Sequence, residues 1–489
     1  MSNTNTPIPG WANRVAESLG EGPHVVVTGI STSGHIHVGN LREVLVGEAV
    51  ANALRVRGEE VRFVFHADTV DPLRKIAPGV PESFEEFMGH SLSRIPDPEG
   101  CHDSYAEHFL APFEEALREM EMDIEVLRSH DLYESGVYTE VTREALERKW
   151  ELREILQEVT GRRVPEHWSP YLPRDASGRL TGHEILEHVP EEHSVVFVDD
   201  DGFQEAADYS RGEGKLGWRV ELAARWKALG VTFEPFGKDH TSRGGSTDTA
   251  DRMAREVFRY PVPGRYEYEW IGIKGRGDMS SSRGIVVLPG ELLRIMPPGA
   301  LRRMVLGRDP ARRSDLELGE GFPRFMDEYR AESGEPFVPF THLVTLAQTI
   351  GGDVETAAEM LRRGGYEEAA RDGERLAREL AYARNWAEEW APESLQLRVL
   401  EEKEAEEAAS ELNEDQREYL RDVSARLRPG MDGDTIQDLL YSTAVERGIK
   451  PKRAFAALYT VLLGKKSGPK AGPFVAGLPV ETVRERLSM

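Results

Sequence analysis

The sequence predicts an α/β protein in which a parallel sheet is followed by a wholly helical region. Near the start, the β-branched run "HVVVTGI" at 24–30 precedes a helical pattern from about 38 to 57 and a second apolar run, "EVRFVFHADT". A strand, a glycine-containing turn, a helix and a strand form a βαβ unit, which begins a parallel sheet. After about residue 295 the strand patterns fade, and residues 352–428 are charged and helical.

Later segments continue and then interrupt this sheet. A Pro/Gly-marked stretch, "VPEHWSPYLPRDASGR", breaks the alternation of strands and helices. The alternation resumes with "WKALGVTFEPFGKDH", a helix from Ser246 to Phe258 and the strand "YEYEWIGI". The predicted regions are a sheet-containing domain at 11–290 with an insertion at about 86–195, a connecting helical region at 291–350 and an α-helical region at 351–489.

The composition is that of a globular protein with several domains. Its 489 residues are 39% hydrophobic and 30% charged, and no apolar run is long enough to cross a bilayer. The N-terminus lacks a signal pattern, and the single cysteine, Cys101, predicts no disulfide and no thiolate zinc site. We therefore expect a cytoplasmic protein with no membrane partner.

The charge is strongly uneven. A formal net charge of -25 argues against a general nucleic-acid binder. Residues 450–489, however, carry eight basic and two acidic side chains. A tail that contacts phosphate and a solvated surface with chance clustering are both consistent with this segment.

The turn "TGISTSGHIHVGN" at 28–40 is the first candidate site. A strand ends near Ile30 and a helix begins near Val38, and helix N-termini attract phosphate. Gly34 allows a tight turn, Gly39 leaves room for a planar ring, and hydroxyl, imidazole and amide groups can donate hydrogen bonds. An ordinary βα loop fits the same residues. The candidates are Thr32, Ser33, Gly34, His37, Gly39 and Asn40.

The loop "KGRGDMSSSRG" at 274–284 is the second candidate site. Its three glycines predict flexibility, and Lys274, Arg276 and Arg283 supply positive charge. Such a loop can fold over a triphosphate and stabilise the charge that develops on a leaving pyrophosphate. An exposed surface loop is the alternative interpretation.

Together the two segments resemble the signatures of class I aminoacyl-tRNA synthetases. "HVGN" resembles the HIGH motif, and "MSSSRG" resembles the KMSKS loop in its "MSSSKG" form. Arg283 stands at the second lysine of that loop, and Asp278 reverses the charge of the first. The resemblance implies a Rossmann-like catalytic domain and an α-helical anticodon-binding region. It implies catalytic roles for His37, Asn40 and Arg283, and ATP binding by Thr32, Ser33, Gly34, His37, Gly39, Asn40, Asp239, Met279, Ser280, Ser281, Ser282 and Arg283.

A third stretch, "FEPFGKDHTSRGGSTDTA", closely resembles the archaeal-type class I lysyl-tRNA synthetases, and the similarity extends from about residue 11 to the end. A lysine pocket requires a carboxylate for the ε-ammonium group and an apolar wall for the four-carbon stem. Glu43 and Trp218 are our candidates for these roles, although a solvated helix face and a core aromatic fit the same residues. The predicted lysine-binding set is Gly29, Ser31, Glu43, Trp218 and His240.

The resemblance implies a lysine–tRNA ligase that uses ATP and Mg²⁺, with L-lysine and tRNA(Lys) as substrates. No zinc is predicted, because "PRDASGR" stands where many members carry CxxC pairs. Activation of another amino acid, such as glutamate, is one alternative function. A catalytically silent tRNA-binding paralogue is another, suggested by Asp278 and Arg283.

Overall fold

The structure, a computed structural model, describes residues 8–180, 184–199, 202–279, 286–334, 336–350, 352–393, 395–397 and 399–489. The chain forms two compact units. The first comprises Met1–Leu293 and Leu301–Leu316, and the second comprises Arg294–Ala300 and Glu317–Met489. Within the described part of the chain, no helix combines the length and the apolar character needed to cross a membrane.

The strands among the described residues all belong to the first unit. They are β1 (His24–Ser31), β2 (Val61–Asp68), β3 (Glu125–Arg128), β4 (Tyr171–Pro173), β5 (Glu184–Val189), β6 (Ser194–Val198), β7 (Gln204–Asp208), β8 (Gly214–Leu216), β9 (Phe233–Gly237), β10 (Gly264–Tyr268), β11 (Ile271–Ile273), β12 (Gly277–Asp278) and β13 (Ser314–Leu316). The helices up to Leu306 are α1 (Gly10–Leu19), α2 (Val38–Val56), α3 (Tyr105–Glu119), α4 (Ser129–Glu134), α5 (Thr139–Glu147), α6 (Lys149–Thr160), α7 (Trp218–Leu229), α8 (Lys238–Thr241), α9 (Ser246–Glu256), α10 (Pro289–Leu293) and α11 (Pro298–Leu306).

The main sheet is parallel and has the order β10-β9-β1-β2-β3. Strands β1 and β2 pair in register from His24 opposite Val61 to Ser31 opposite Asp68. From β1, the chain adds strands first on one side and later on the other. The carboxyl end of β1 is therefore a topological switch point, the place where parallel sheets bind ligands.

Helix α2 packs closely on this sheet. Gly47 makes this possible, because a Cβ atom there would lie 2.8 Å from Thr28 Cγ2 and 2.9 Å from Phe63 Cε2. Val44, Leu45 and neighbouring apolar side chains of the helix are fully buried. This close packing fixes the position of the N-terminus of α2 relative to the end of β1.

The segment predicted as one strand, "YEYEWIGI", forms two. Strand β10 ends at Tyr268 in the main sheet, whereas β11 pairs with β12 and β13 in a separate small sheet. The buried guanidinium of Arg42 lies at the break and donates to the backbone oxygen of Trp270 at 3.2 Å and to that of Pro310 at 3.1 Å. These hydrogen bonds hold the chain in the bend that the strand pattern does not reveal.

Strand β3 lies inside the range predicted as an insertion, yet it forms the edge of the main sheet. The rest of that range, continued as far as Leu216, forms helices and small antiparallel sheets. Those sheets pair β4 with β8 and order β5, β6 and β7 consecutively. One large core of buried apolar side chains joins these elements to α7 and α9.

The second unit is helical throughout its described residues. Its helices are α12 (Phe322–Ser333), α13 (Phe340–Ile350), α14 (Val354–Arg363), α15 (Gly373–Glu389), α16 (Glu402–Ser410), α17 (Glu414–Arg426), α18 (Gly433–Glu446), α19 (Pro451–Leu463), α20 (Ala471–Ala476) and α21 (Val480–Leu487). The helices α16 to α21 share a core that includes Tyr419, Leu440 and Leu458. The charged sequence faces solvent, as expected for the "EEKEAEEAASELNEDQREYL" pattern.

Candidate active site

A cavity of about 590 Å³ opens at the carboxyl ends of the main-sheet strands. The ends of β1, β2, β9 and β10 and the first two turns of α2 surround it. Its lining residues are Gly29, Ile30, Ser31, His37, Gly39, Asn40, Glu43, Asp68, Asp71, Arg74, Trp218, Arg225, Asp239, His240, Tyr268, Trp270, Ile271 and Met279. The cavity therefore lies at the switch point of the sheet.

Most of the predicted site residues line this cavity. They are Gly29, Ser31, His37, Gly39, Asn40, Glu43, Trp218, Asp239, His240 and Met279. Three members of the predicted phosphate-binding turn do not: Thr32 is fully buried, and Ser33 and Gly34 are absent from the lining. Ser280, Ser281, Ser282 and Arg283 lie outside the described residues.

The start of α2 presents polar groups to the cavity. Asn40 Oδ1 accepts a hydrogen bond from the backbone N–H of His37 at 3.1 Å, so the amide N–H groups of Asn40 are left to donate to a ligand. His37 Nδ1 is buried and has no hydrogen-bond partner in the described structure. Burial lowers the pKa of His37 to about 4, so its imidazole is neutral at physiological pH. A neutral imidazole can donate one hydrogen bond to a phosphate oxygen.

Gly39 is required beside this histidine. A Cβ atom at residue 39 would lie 2.7 Å from His37 Cε1 and 2.8 Å from His37 Nδ1. Both distances are too short for a real contact, so any side chain would displace the ring. The glycine therefore allows the imidazole to lie against the first turn of α2.

Glu43 is a partly buried carboxylate that lines the cavity. Its Oε1 accepts from the backbone N–H of Gly29 at 2.9 Å, and its Oε2 accepts from the Tyr268 hydroxyl at 2.6 Å. Burial raises the pKa of Glu43 to about 7, although both hydrogen bonds act to lower it. Glu43 has no ion-pair partner among the described residues, so a ligand with a positive charge would satisfy it.

Aromatic rings line another wall. The rings of Trp218 and His240 meet edge to face with centroids 6.1 Å apart. His240 is held by Ser246, whose Oγ lies 2.9 Å from His240 Nδ1. Asp239 lies in α8, two residues beyond the end of β9, and its side chain is 55% exposed. This wall can cover an aliphatic chain that extends toward the buried carboxylate.

Sequence reasoning missed several lining residues. Tyr268 and Trp270 come from the end of β10, and Asp71 and Arg74 follow β2. Their place in the sequence could have identified them, because each stands just beyond a strand that lies next to β1 or β9 in the sheet. Asp71 accepts from Ser31 Oγ at 3.3 Å, which links two strand ends.

A buried ion cluster lies beside the cavity. Lys215 Nζ on β8 is 2.9 Å from Asp68 Oδ2, 2.9 Å from Glu221 Oε2 and 3.4 Å from Asp71 Oδ1. Burial alone would lower the pKa of Lys215, but the carboxylates around it raise the pKa, so the lysine stays charged. The Tyr133 hydroxyl donates to Glu221 at 3.1 Å. Lys215 thus fixes two carboxylates that border the cavity.

Replacing Lys215 by methionine is expected to destabilise the first unit by about 3–5 kcal/mol, because carboxylates that are now paired would be buried without a cation. Urea unfolding followed by tryptophan fluorescence measures this change. The double variant Lys215→Met with Glu221→Leu should recover part of the loss. An unfolding transition unchanged in Lys215→Met would contradict the assigned pairing.

The helical unit has a cavity of its own, of about 610 Å³. His342 and Tyr366 meet edge to face at its wall, with ring centroids 5.4 Å apart. Phe474 and Lys470 also line it. Tyr459 lies in the core of α16 to α21 and is absent from the lining of this cavity.

Comparison with known proteins gives consistent matches. Residues 10–342 match the family model described as tRNA synthetases class I (K), and residues 387–489 match that described as an anticodon binding domain. A lysine–tRNA ligase of Archaeoglobus fulgidus is 39% identical, covering 98% of this chain and 99% of the relative. Lysine–tRNA ligase 1 of Methanosarcina acetivorans is 36% identical, covering 95% of each chain. That of Methanocaldococcus jannaschii is 34% identical, covering 98% of this chain and 99% of the relative.

Proposed function

This chain belongs to the family of class I (K) tRNA synthetases, and we propose that it is a lysine–tRNA ligase. The observation that carries the proposal is Glu43, a partly buried carboxylate that forms no ion pair among the described residues and lines the same cavity as the start of α2. One cavity thus offers a place for an ammonium group and a place for phosphate. The archaeal relatives named lysine–tRNA ligase, which match nearly the whole chain, support the same function.

Activation joins lysine to ATP. An oxygen of the lysine α-carboxylate attacks the α-phosphorus, the bond to the bridging oxygen breaks, and pyrophosphate leaves with lysyl-adenylate as the product. His37 and Asn40 donate to the phosphoryl oxygens, and the dipole of α2 places a partial positive charge at its N-terminus. Arg283, which lies outside the described residues, remains our prediction for the group that holds the departing phosphates.

Mg²⁺ is proposed to accompany ATP. The cavity carries the carboxylates Asp68, Asp71 and Asp239, but the first two already pair with Lys215. A metal that keeps several waters and few carboxylates fits such a site, with the nucleotide phosphates as its main ligands. When bound, it neutralises phosphate charge.

Lysine recognition follows from the shape and charge of the cavity. Glu43 receives the ε-ammonium group, and Tyr268 and the backbone of Gly29 hold the carboxylate in place. Trp218 and His240 cover the aliphatic stem, with a cation–π contribution of about 1 kcal/mol. Glutamate, the alternative substrate, would bring a second carboxylate to the buried carboxylate of Glu43 and be repelled.

The affinity for lysine is expected to depend on pH through Glu43. Because burial raises its pKa to about 7, the carboxylate is protonated below that pH and loses its attraction for the ammonium group. The value of kcat/KM for lysine should fall about tenfold per pH unit below pH 7 and level off above it. Initial rates at saturating ATP between about pH 5.5 and 8.5 measure this. In Glu43→Gln the remaining activity should lose this pH dependence, and an unchanged profile there would contradict the assignment.

Transfer completes the reaction. Following the class I pattern, the 2′-OH of the terminal tRNA adenosine attacks the lysyl carbonyl, and AMP leaves. The helical residues 387–489 match an anticodon binding domain, and the cavity beside His342 and Tyr366 is our candidate for an unstacked anticodon base. The cytoplasm is the proposed location, since the substrates are those of translation.

Aminoacylation of tRNA(Lys) with labelled lysine tests this function. We expect charging that requires ATP and Mg²⁺ and that stops when the 3′-terminal adenosine carries 2′-deoxyribose. Binding of tRNA without charging by any amino acid would support a silent tRNA-binding paralogue instead.

A further inference from the structure

A buried arginine forms part of the wall of the active-site cavity. Arg225 lies in the middle of α7, and its side chain is 3% exposed. It nevertheless lines the cavity together with Gly29 and Glu43. Neither phosphate binding nor the carboxylate that receives the ammonium group requires a second cation at this place. Its position in the wall therefore indicates a different role.

Two buried groups hold the guanidinium of Arg225. Its Nη2 donates to Glu234 Oε1 on β9 at 2.5 Å, and its Nη1 donates to His66 Nδ1 on β2 at 3.2 Å. Glu234 is fixed in turn, because its Oε2 accepts from Trp226 Nε1 at 2.6 Å. Burial alone would lower the pKa of Arg225, but the Glu234 carboxylate raises it. The guanidinium is therefore charged and held in one orientation.

The contact with His66 requires a neutral imidazole. Burial and the neighbouring charge of Arg225 lower the pKa of His66 well below its ordinary value. Since Nδ1 accepts from Arg225, the ring proton lies on Nε2, which is 3.1 Å from the Tyr138 hydroxyl oxygen. This tautomer keeps an acceptor in front of Arg225 Nη1.

Gly29 connects this arginine with the ammonium site. A Cβ atom at residue 29 would lie 3.0 Å from Arg225 Nη1 and 3.3 Å from the backbone oxygen of His66. The glycine thus allows the guanidinium to lie close to the backbone of β1. The N–H of the same residue donates to Glu43 Oε1 at 2.9 Å. The guanidinium and the carboxylate therefore lie at the same end of the cavity, where the ammonium group binds in the proposed complex.

Such a wall admits lysine and disfavours a longer cation. The guanidinium of Arg225 offers N–H donors and no acceptor. Its partner Glu234 already accepts from Arg225 and from Trp226. An ammonium group that stops at Glu43 needs nothing more from this wall. A bound arginine is longer, so its outer N–H groups would meet donors, stay without an acceptor and bring like charges together.

We propose that Arg225 limits the length of the amino-acid pocket and thereby excludes arginine. The residue determines specificity and takes no part in the chemical step, because the reacting carboxylate is at the other end of the substrate. Ornithine is shorter than lysine, so its rejection should not depend on Arg225. The inference rests on the proposed function, since it concerns the same lysine site.

Pyrophosphate exchange with three amino acids tests this role. The value of kcat/KM is measured for lysine, arginine and ornithine, with tRNA present, in the wild type and in the double variant Arg225→Met with Glu234→Gln. The double variant removes the guanidinium and neutralises its partner, and glutamine keeps an acceptor for Trp226 Nε1. The preference for lysine over arginine should fall by about 10- to 200-fold, with arginine exchange above the wild-type background. The preference for lysine over ornithine should stay within about threefold.

Two further variants separate specificity from folding. Arg225→Lys keeps the charge beside Glu234 but lacks the Nη groups next to Gly29, so it should lower the preference for lysine over arginine by a smaller factor. It also provides the test if the double variant does not fold. Lys227→Met, the matched control, replaces a cation of the same helix whose partner Glu144 is absent from the cavity lining. Both preferences should keep their wild-type values there.

The ratio of the rates decides the outcome. A wild-type preference for lysine over arginine in a folded Arg225 variant would overturn the proposed role. An equal loss with all three amino acids counts as this result, because a merely structural residue would affect them alike. Absence of lysine exchange in the wild-type protein would instead contradict the proposed function, and this inference with it.

Discussion

Replacing Glu43 by glutamine is expected to lower kcat/KM for lysine by roughly 30- to 4,000-fold, the range that corresponds to about 2–5 kcal/mol for a buried charge that loses its partner. Glutamine keeps the size and an acceptor for the backbone N–H of Gly29, so the cavity should keep its shape. Lysine kinetics in the pyrophosphate-exchange reaction, with tRNA present, measure the change. The KM for ATP should stay within about twofold, because Glu43 lies away from the phosphate groups in the proposed complex.

Two controls separate recognition from folding. Glu60→Gln changes an exposed glutamate just beyond the end of α2 and should leave the kinetics unchanged. Tyr268→Phe keeps the ring but removes the hydroxyl that donates to Glu43 at 2.6 Å, and should have a smaller effect than Glu43→Gln. Wild-type lysine kinetics in Glu43→Gln would exclude this carboxylate as the ammonium site.

Replacing His37 by alanine is expected to lower kcat by about 10²–10³-fold, the usual cost of removing one hydrogen-bond donor that stabilises transition-state charge. The imidazole is neutral, since burial lowers its pKa to about 4, so it acts as a hydrogen-bond donor. The contribution of His37 should consequently not vary between about pH 6 and 9. Rates of adenylate formation at saturating lysine measure both effects.

Gly39→Ala tests the position of the His37 ring without removing the imidazole. Its methyl group would lie 2.7 Å from His37 Cε1 and displace the ring, so kcat should fall although the imidazole is still present. His90→Ala is the comparison for a histidine outside the cavity and should keep wild-type kcat. Unchanged rates in His37→Ala would rule out a contact between this imidazole and the reacting phosphate.

Much of the sheet could be predicted from local patterns. The run at 24–30, the glycine-containing turn and the helix that follows identify β1 and α2, and "FEPFGKDH" identifies β9 with Asp239 and His240 at its end. Parallel strands place such ends at one edge, and both residues line the cavity there. The spacing of apolar residues along the sequence was therefore sufficient to predict these two strands and helix α2.

Contacts between distant segments were not predictable in this way. The end of β10 at Tyr268 depends on Arg42, whose guanidinium bonds to the backbone some 228 residues away in sequence. Strand β3 joins the main sheet although its sequence stands within the range predicted as an insertion. Both are tertiary effects that no local window contains.

The active-site residues also fall into those that local sequence predicts and those that only the tertiary structure reveals. Glu43 and His37 lie in the turn and helix that a phosphate-binding argument singles out, whereas Asp71 and Tyr268 reach the cavity from other strands.

The central claim is that the cavity selects lysine for activation. Exchange of labelled pyrophosphate into ATP, measured with tRNA present and each of lysine, glutamate and arginine in turn, tests it most directly. We expect exchange with lysine, loss of that exchange in Glu43→Gln and His37→Ala, and background rates with glutamate and arginine. Exchange supported by glutamate, or by no amino acid at all in a folded protein that binds tRNA, would contradict the claim.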